Sequence, residues 1–226
     1  MMRSKLMLCG AAAAVLGSTS AVAAVVVVRS MGPSAKAYPP GKTLPDAAKI
    51  TLQGGDIVTV IGPSSAKTLR GPGSFDAKEV TLASAAGQRG RFGALRSGEV
   101  AHNPSVWDVD STQSGKVCVV DAKRLQVWRP DADSASTVQI RSSDGKTQQL
   151  SWAAGKALTS WPSGLPISTG AKYEIDWPGT GDTSSLDVVT VSSAPADLSA
   201  AAKLLIDNGC QNQLDLLVEG ASKSGD

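Results

Sequence analysis

The chain carries one histidine, His102, and that scarcity limits its chemistry first. A serine triad or a zinc site would have to be built around that single residue. It sits in Ala-His-Asn-Pro, a loop-like setting, and neither Gly-x-Ser-x-Gly nor His-x-x-x-His occurs. Cysteine is scarce too: the three are Cys9, Cys118 and Cys210. Phe and Tyr number two each, against five Trp. No long basic run exists to neutralise a phosphate backbone, so nucleic-acid binding lacks its electrostatic support.

What is present begins at the N-terminus. Arg3 and Lys5 form a positive n-region, Leu6 to Leu16 is apolar, and Ala21-Val22-Ala23 is a small-x-small cleavage site. This is the pattern of a secretory signal peptide over residues 1–23. The alternative is a retained anchor, since Leu6 to Val28 is nearly all apolar and about 20 such residues span a bilayer. Gly17-Ser18-Thr19-Ser20 interrupts that stretch. Lipid attachment at Cys9 fits less well, because Leu8 is too large for the position before a lipidated cysteine. Cleavage after Ala23 removes Cys9 and leaves Cys118 and Cys210 as an even pair, which predicts a disulfide in a periplasmic or extracellular compartment. Removing Arg3 and Lys5 from the 22 basic residues also leaves 20 against 20 acids. The apparent positive charge therefore belongs to the export signal.

The rest reads as mainly β, with an N-terminal antiparallel β module over 24–82. Residues 83–104 read as a linker or long loop, with a short helix as the alternative. A β-sandwich-like domain is predicted over 105–194, a helical hairpin packed on it over 195–220, and a disordered tail over 221–226. Val25–Val28, Lys49–Gln53, Ile57–Ile61 and Lys67–Arg70 are strand signals separated by Gly/Pro/Asp turns. In the second half the candidates are Val106–Val109, Gly115–Val120, Leu125–Arg129, Thr137–Arg141, Gln148–Trp152, Ala171–Trp177 and Leu186–Val191. Ser143-Asp144-Gly145-Lys146 is a hairpin signal between two of them. Leu198, Ala201, Ala202, Leu205 and Ile206 form one helical stripe, Asn208-Gly209 reads as its C-cap, and Gln211 to Glu219 follows as a second helix.

Leu44-Pro45-Asp46-Ala47-Ala48-Lys49-Ile50-Thr51-Leu52 resembles an element of FecR-like periplasmic domains. Gly55 to Val60 and Thr68 to Phe75 are similar to a second element of the same domains. The resemblance covers roughly residues 40–80, and Ala47 stands where the family favours Gly. It implies a β-rich module facing the envelope. With the export signal at the front of the chain, a cytoplasmic sigma-binding part is not expected.

Two apparent motifs fail on inspection. Gly62-Pro63-Ser64-Ser65-Ala66-Lys67-Thr68 follows a strand like a phosphate loop, but Ala66 replaces the second glycine. Gly71-Pro72-Gly73 also leaves no room for the helix that phosphate binding needs; a hairpin turn is expected instead. Asp108-Val109-Asp110-Ser111-Thr112 begins like a calcium loop, yet Gln113 and Val119 stand where Gly and Glu are required. Asp108, Asp110, Asp131, Asp133, Glu174 and Asp176 could meet in space, and nothing in the sequence selects a pair.

All five tryptophans, Trp107, Trp128, Trp152, Trp161 and Trp177, lie in the second half. They read as core filling, or as a platform for a sugar or a partner. Trp161-Pro162 and Trp177-Pro178 are the platform candidates, since each precedes a turn. The expectation is an exported, non-enzymatic envelope protein that binds a protein partner or an envelope polysaccharide through Trp161 and Trp177. No catalytic residue, metal or cofactor is expected. A self-assembling structural component and a carboxylate-dependent glycan hydrolase are the alternatives.

Overall fold

The computed structural model describes residues 24–82 and 105–222. The expected signal segment 1–23, the connection 83–104 with His102, and residues 223–226 lie outside the described residues.

Alternating burial builds the N-terminal unit. Strands β1 (Ala24–Met31), β2 (Thr43–Pro45), β4 (Ile57–Ile61) and β5 (Ala66–Arg70) form an antiparallel sheet in the order β2-β1-β4-β5. Strand β3 (Lys49–Leu52) pairs antiparallel with β6 (Gly73–Asp76), and the short helix α1 (Ala77–Leu82) follows. One face of the larger sheet buries Val25, Val27, Val58, Val60 and Leu69 against Ile50, Leu52, Ala77 and Val80. The other face presents Val26, Val28 and Ile61 to a second core. A strand covered on both sides reads as an unbroken apolar run, which is why Val25 to Val28 are four valines in a row. The Gly62–Ser65 segment is a turn joining β4 to β5, with the Gly62 N–H donating to Ser65 O at 2.8 Å. At Gly71 an added Cβ would lie 1.9 Å from Gln53 O, so only glycine fits that approach.

The second unit is the expected sandwich. Its strands are β7 (Val109–Asp110), β8 (Gly115–Val119), β9 (Gln126–Trp128), β10 (Ser136–Ser142), β11 (Thr147–Trp152), β12 (Leu158–Ser160), β13 (Lys172–Asp176) and β14 (Thr183–Thr190). A five-stranded sheet in the order β11-β10-β13-β14-β8 faces a three-stranded sheet, β12-β9-β7. Val138, Ile140, Leu150, Trp152, Ile175 and Leu186 from the first meet Val109, Leu125 and Val127 from the second. The β8–β14 and β7–β9 pairs are parallel; the others are antiparallel. The Ser143–Lys146 turn joins β10 to β11, with the Ser142 N–H donating to Lys146 O at 2.8 Å.

Helix α2 (Leu198–Asn208) starts where Asp197 Oδ1 accepts the Ala200 N–H at 2.8 Å. It stops at Gly209, whose φ of 73° needs no Cβ, with the Cys210 N–H closing on Leu205 O at 2.9 Å. Helix α3 (Gln211–Ser222) follows, so residues 221 and 222, expected in a disordered tail, are helical instead, with Ala221 buried. The hairpin does not pack on the second unit alone. Ala201, Ala202, Leu205, Leu214 and Leu217 pack on Val26, Val28 and Ile61 of the N-terminal sheet as well as on Cys118 of β8. The reason is the apolar second face of β1, which the N-terminal unit does not cover itself. The Cys118–Cys210 disulfide forms as expected, with Cα atoms 5.9 Å apart and both residues fully buried.

Candidate functional site

The two tryptophans singled out in the sequence turn inward. Trp161 is 9% exposed. Its Nε1–H donates to Leu165 O at 2.8 Å, and its ring meets Tyr173 edge-on at 4.9 Å. The Pro162 turn folds back, with the Leu165 N–H donating to Pro162 O, and so closes over the indole rather than presenting it. Trp177 is half-buried. It stacks on buried Trp152 at 5.8 Å with 7° between planes, and its Nε1–H donates to Ser111 O at 3.3 Å. Trp128 and Trp152 are core, and Trp107 packs against the helical core. The expected exposed pair is therefore not formed. A proline turn bends the chain, but it does not say to which side the preceding ring goes. Among the described residues the exposed large apolar side chain is Met31.

Two open grooves stand out among the described residues. The larger, about 470 Å³, crosses β10, β13 and β14 to the start of β8. Its charged walls are Arg141, Lys172, Glu174 and Asp187, and serines 114, 142, 143 and 185 supply hydroxyls. Arg141 reaches Glu174 at 3.8 Å and Asp176 at 3.5 Å, and Lys172 reaches Asp187 at 3.4 Å. These pairs are solvent-exposed, so each contributes little to stability and can be exchanged for a partner's charges. At the groove's rim the Ser142 hydroxyl and the Lys146 ammonium hold the Asp144 carboxyl down at about 2. Burial pushes the Tyr173 phenol up, and the nearby Asp144 charge adds to that. These groups are fixed in one charge state at neutral pH.

The smaller groove, about 210 Å³, is lined by Asp108, Asp110, Lys116, Asp215 and Glu219. Burial pushes the Asp108 carboxyl up, against the Ser105 N–H bond that lowers it. The other carboxylates serve their own chain. Asp110 accepts the Thr112 N–H at 2.9 Å and the Thr112 hydroxyl at 2.7 Å. Asp215 pairs with Arg29 at 2.5 Å and accepts Gln211 Nε2–H at 2.9 Å. The apparent calcium loop at Asp108–Thr112 is thus partly spent on a local turn. Among the described residues no group of three or more His, Cys, Asp or Glu is arranged to hold a metal.

One polar residue was not anticipated. Gln213 is 3% exposed on α3. Its Oε1 accepts the Cys118 N–H at 2.6 Å, and its Nε2–H donates to Cys118 O at 3.0 Å and Val106 O at 2.6 Å. The side-chain amide thus does for the edge of β8 what a neighbouring strand would do. A glutamine directly before the apolar run Leu214, Leu217, Val218 was the available signal.

No family model, curated protein or solved structure matches the chain. The residues that resemble FecR-like domains fall on β2 to β6.

Proposed function

We propose that this chain is an exported module of the cell envelope that works by binding a protein partner, not by catalysing a reaction. The observation that carries the reading is the larger groove. It is open, lined by charges of both signs held only in exposed pairs, and framed by hydroxyls. Such a surface suits a partner with complementary charges. With Trp161 buried and Trp177 stacked on Trp152, the two rings offer no shared platform for an envelope polysaccharide, which favours a protein.

Export is supported from two directions. A buried disulfide suits an oxidising compartment. Val25 to Val28 are committed to a sheet core, so these four valines belong to the folded module and not to the apolar stretch before it. The FecR-like residues of the N-terminal unit add support for an envelope-facing β module.

The test uses the chain from Ala24 onward as bait in native envelope extracts, beside the Arg141→Glu, Lys172→Glu variant. Capture of a protein that the unaltered bait retains and the equally stable variant loses supports the reading. Equal capture by both, retention on insoluble polysaccharide, or turnover of a glycan overturns it.

A further inference from the structure

Every edge of the described sheets but one is defended against pairing with another chain. The free edge of β8 is occupied by the Gln213 amide. Strand β5 carries Lys67 and Arg70, β3 carries Lys49, and β6 ends at Asp76. Strands β2, β12 and β7 are three residues long or shorter, and β2 contains Pro45. Charge, proline, brevity and cover are the means by which sheets avoid edge-to-edge association. Strand β11 has none of them. It is six residues long, Thr-Gln-Gln-Leu-Ser-Trp, without charge or proline, and β10 is its one strand neighbour.

The register fixes which groups are free. The Ser142 N–H bonds to Lys146 O, and Gln139 lies opposite Gln149. Hydrogen-bonded and non-bonded pairs alternate along an antiparallel ladder. Residues 148, 150 and 152 therefore bond to β10, while the N–H and C=O groups of Thr147, Gln149 and Ser151 point outward. The described residues offer those groups no other strand.

We infer that β11 is a self-pairing edge, and that two copies of this chain join through it as a closed two-fold dimer. An antiparallel pair centred on Gln149 sets Gln149 opposite the partner's Gln149 and Thr147 opposite the partner's Ser151. Every outward N–H and C=O of those three residues then finds a mate. The facing side chains are amide to amide and hydroxyl to hydroxyl, pairs that bond across strands. The same register brings the turn carrying Asp144 towards the turn carrying the partner's Lys156, so opposite charges flank a neutral centre. A two-fold interface is isologous and closes after two copies, so the dimer is finite. The axis stands perpendicular to the sheet, which places the two larger grooves on one side of a continuous ten-stranded sheet (five strands from each copy). The inference goes beyond the binding reading and does not depend on it.

The experiment is sedimentation equilibrium of the chain from Ala24 onward across a wide concentration range, with charge variants at the centre of the pair. Gln149 is exposed and its backbone N–H is not used by β10, so both Gln149→Lys and Gln149→Glu should fold with unchanged thermal stability at concentrations where every chain is monomeric. The expected result is a dimer for the unaltered chain. Each variant alone should dissociate at least about tenfold more readily, because like charges face one another directly. Mixing the two should restore a mixed dimer. A monomer for the unaltered chain, including one whose β11 edge is covered by its own residues 83–104, would overturn the inference. So would a dimer indifferent to both variants.

Discussion

The two β units solve the same packing problem in opposite ways. The sandwich of residues 105–194 closes its two inner faces on each other and fills the space with Trp152, Trp161 and Tyr173. The N-terminal unit has no tryptophan, and its valine sheet is apolar on both faces. One face is covered by β3, β6 and α1 nearby in sequence; the other is covered by α2 and α3 from the far end of the chain. The Arg29–Asp215 pair joins the same two parts. A boundary drawn along the sequence is therefore not a boundary through the core. The N-terminal unit is completed by the last helices, and those helices are fastened to the sandwich by the disulfide and by Gln213.

The disulfide gives the sharpest way to break that comparison. Cys118 and Cys210 are 92 residues apart, and a closed loop of that length is worth up to about 4–5 kcal/mol in the chain-entropy model. Replacing both with Ser should lower stability by an amount of that order. The loss should also be uneven. Hydrogen exchange should show β1 and β4 losing protection before β10 and β13, since the sandwich keeps its own cover. Equal loss in both units would mean that the cover of the N-terminal unit does not depend on the tether.

The tryptophans test the other side. Trp161→Ala removes a buried ring and its hydrogen bond and should cost about 3–5 kcal/mol, as large-to-small core changes do. Trp177→Ala should cost less, about 1–2 kcal/mol, because it forfeits mainly one stacked contact from a half-exposed site. Denaturant unfolding of both variants measures this, and exchange in β1 and β4 should hardly change. If Trp161→Ala is tolerated while partner capture falls, the ring is a contact residue and not core.

Most of the architecture was legible because it rests on local chemistry. Alternation gave β10, β11 and β13, β-branched runs gave β1 and β4, and Asn208-Gly209 gave the end of α2. Short elements escaped: β2, β12 and α1 are too brief to show a period, and only long-range pairing creates them. Val106–Val109 shrank to Val109–Asp110, because Val106 and Trp107 go instead to the helical core. Side-chain direction escaped as well. Nothing in Trp161-Pro162-Ser163-Gly164 says that the turn closes over the ring. The second apolar face of β1 was visible in Val26 and Val28, but not that its cover would come from residues 198–221. The disulfide was legible from compartment and parity alone, whereas the Gln213 bonds to Cys118 need the fold.

The smallest expected effect separates the two units by acid. Asp56 is buried in the N-terminal unit, at the turn before β4. Its Oδ1 accepts the Ser34 N–H at 2.9 Å and its Oδ2 accepts the Gln53 N–H at 2.5 Å. Burial alone would raise its pKa, but the bonds from Ser34 and Gln53 outweigh it and hold the carboxyl below the ordinary 3.8. A depressed carboxylate pKa stabilises the folded form fully above the unfolded value. That stabilisation disappears as pH falls through the folded value, when the protonated group can no longer accept both bonds. The N-terminal unit should therefore begin to lose stability below about pH 4, whereas Asp56→Asn, uncharged throughout, should be weaker at neutral pH and lack this step. Melting followed by exchange in β1 and β4, for both proteins from pH 7 to pH 2.5, reads the difference. Asp144 in the sandwich is also depressed, to about 2, but it sits at an exposed hairpin tip where solvent screens its contribution. An acid step of equal size in β10 and β11, or one that survives in Asp56→Asn, would remove Asp56 as its source.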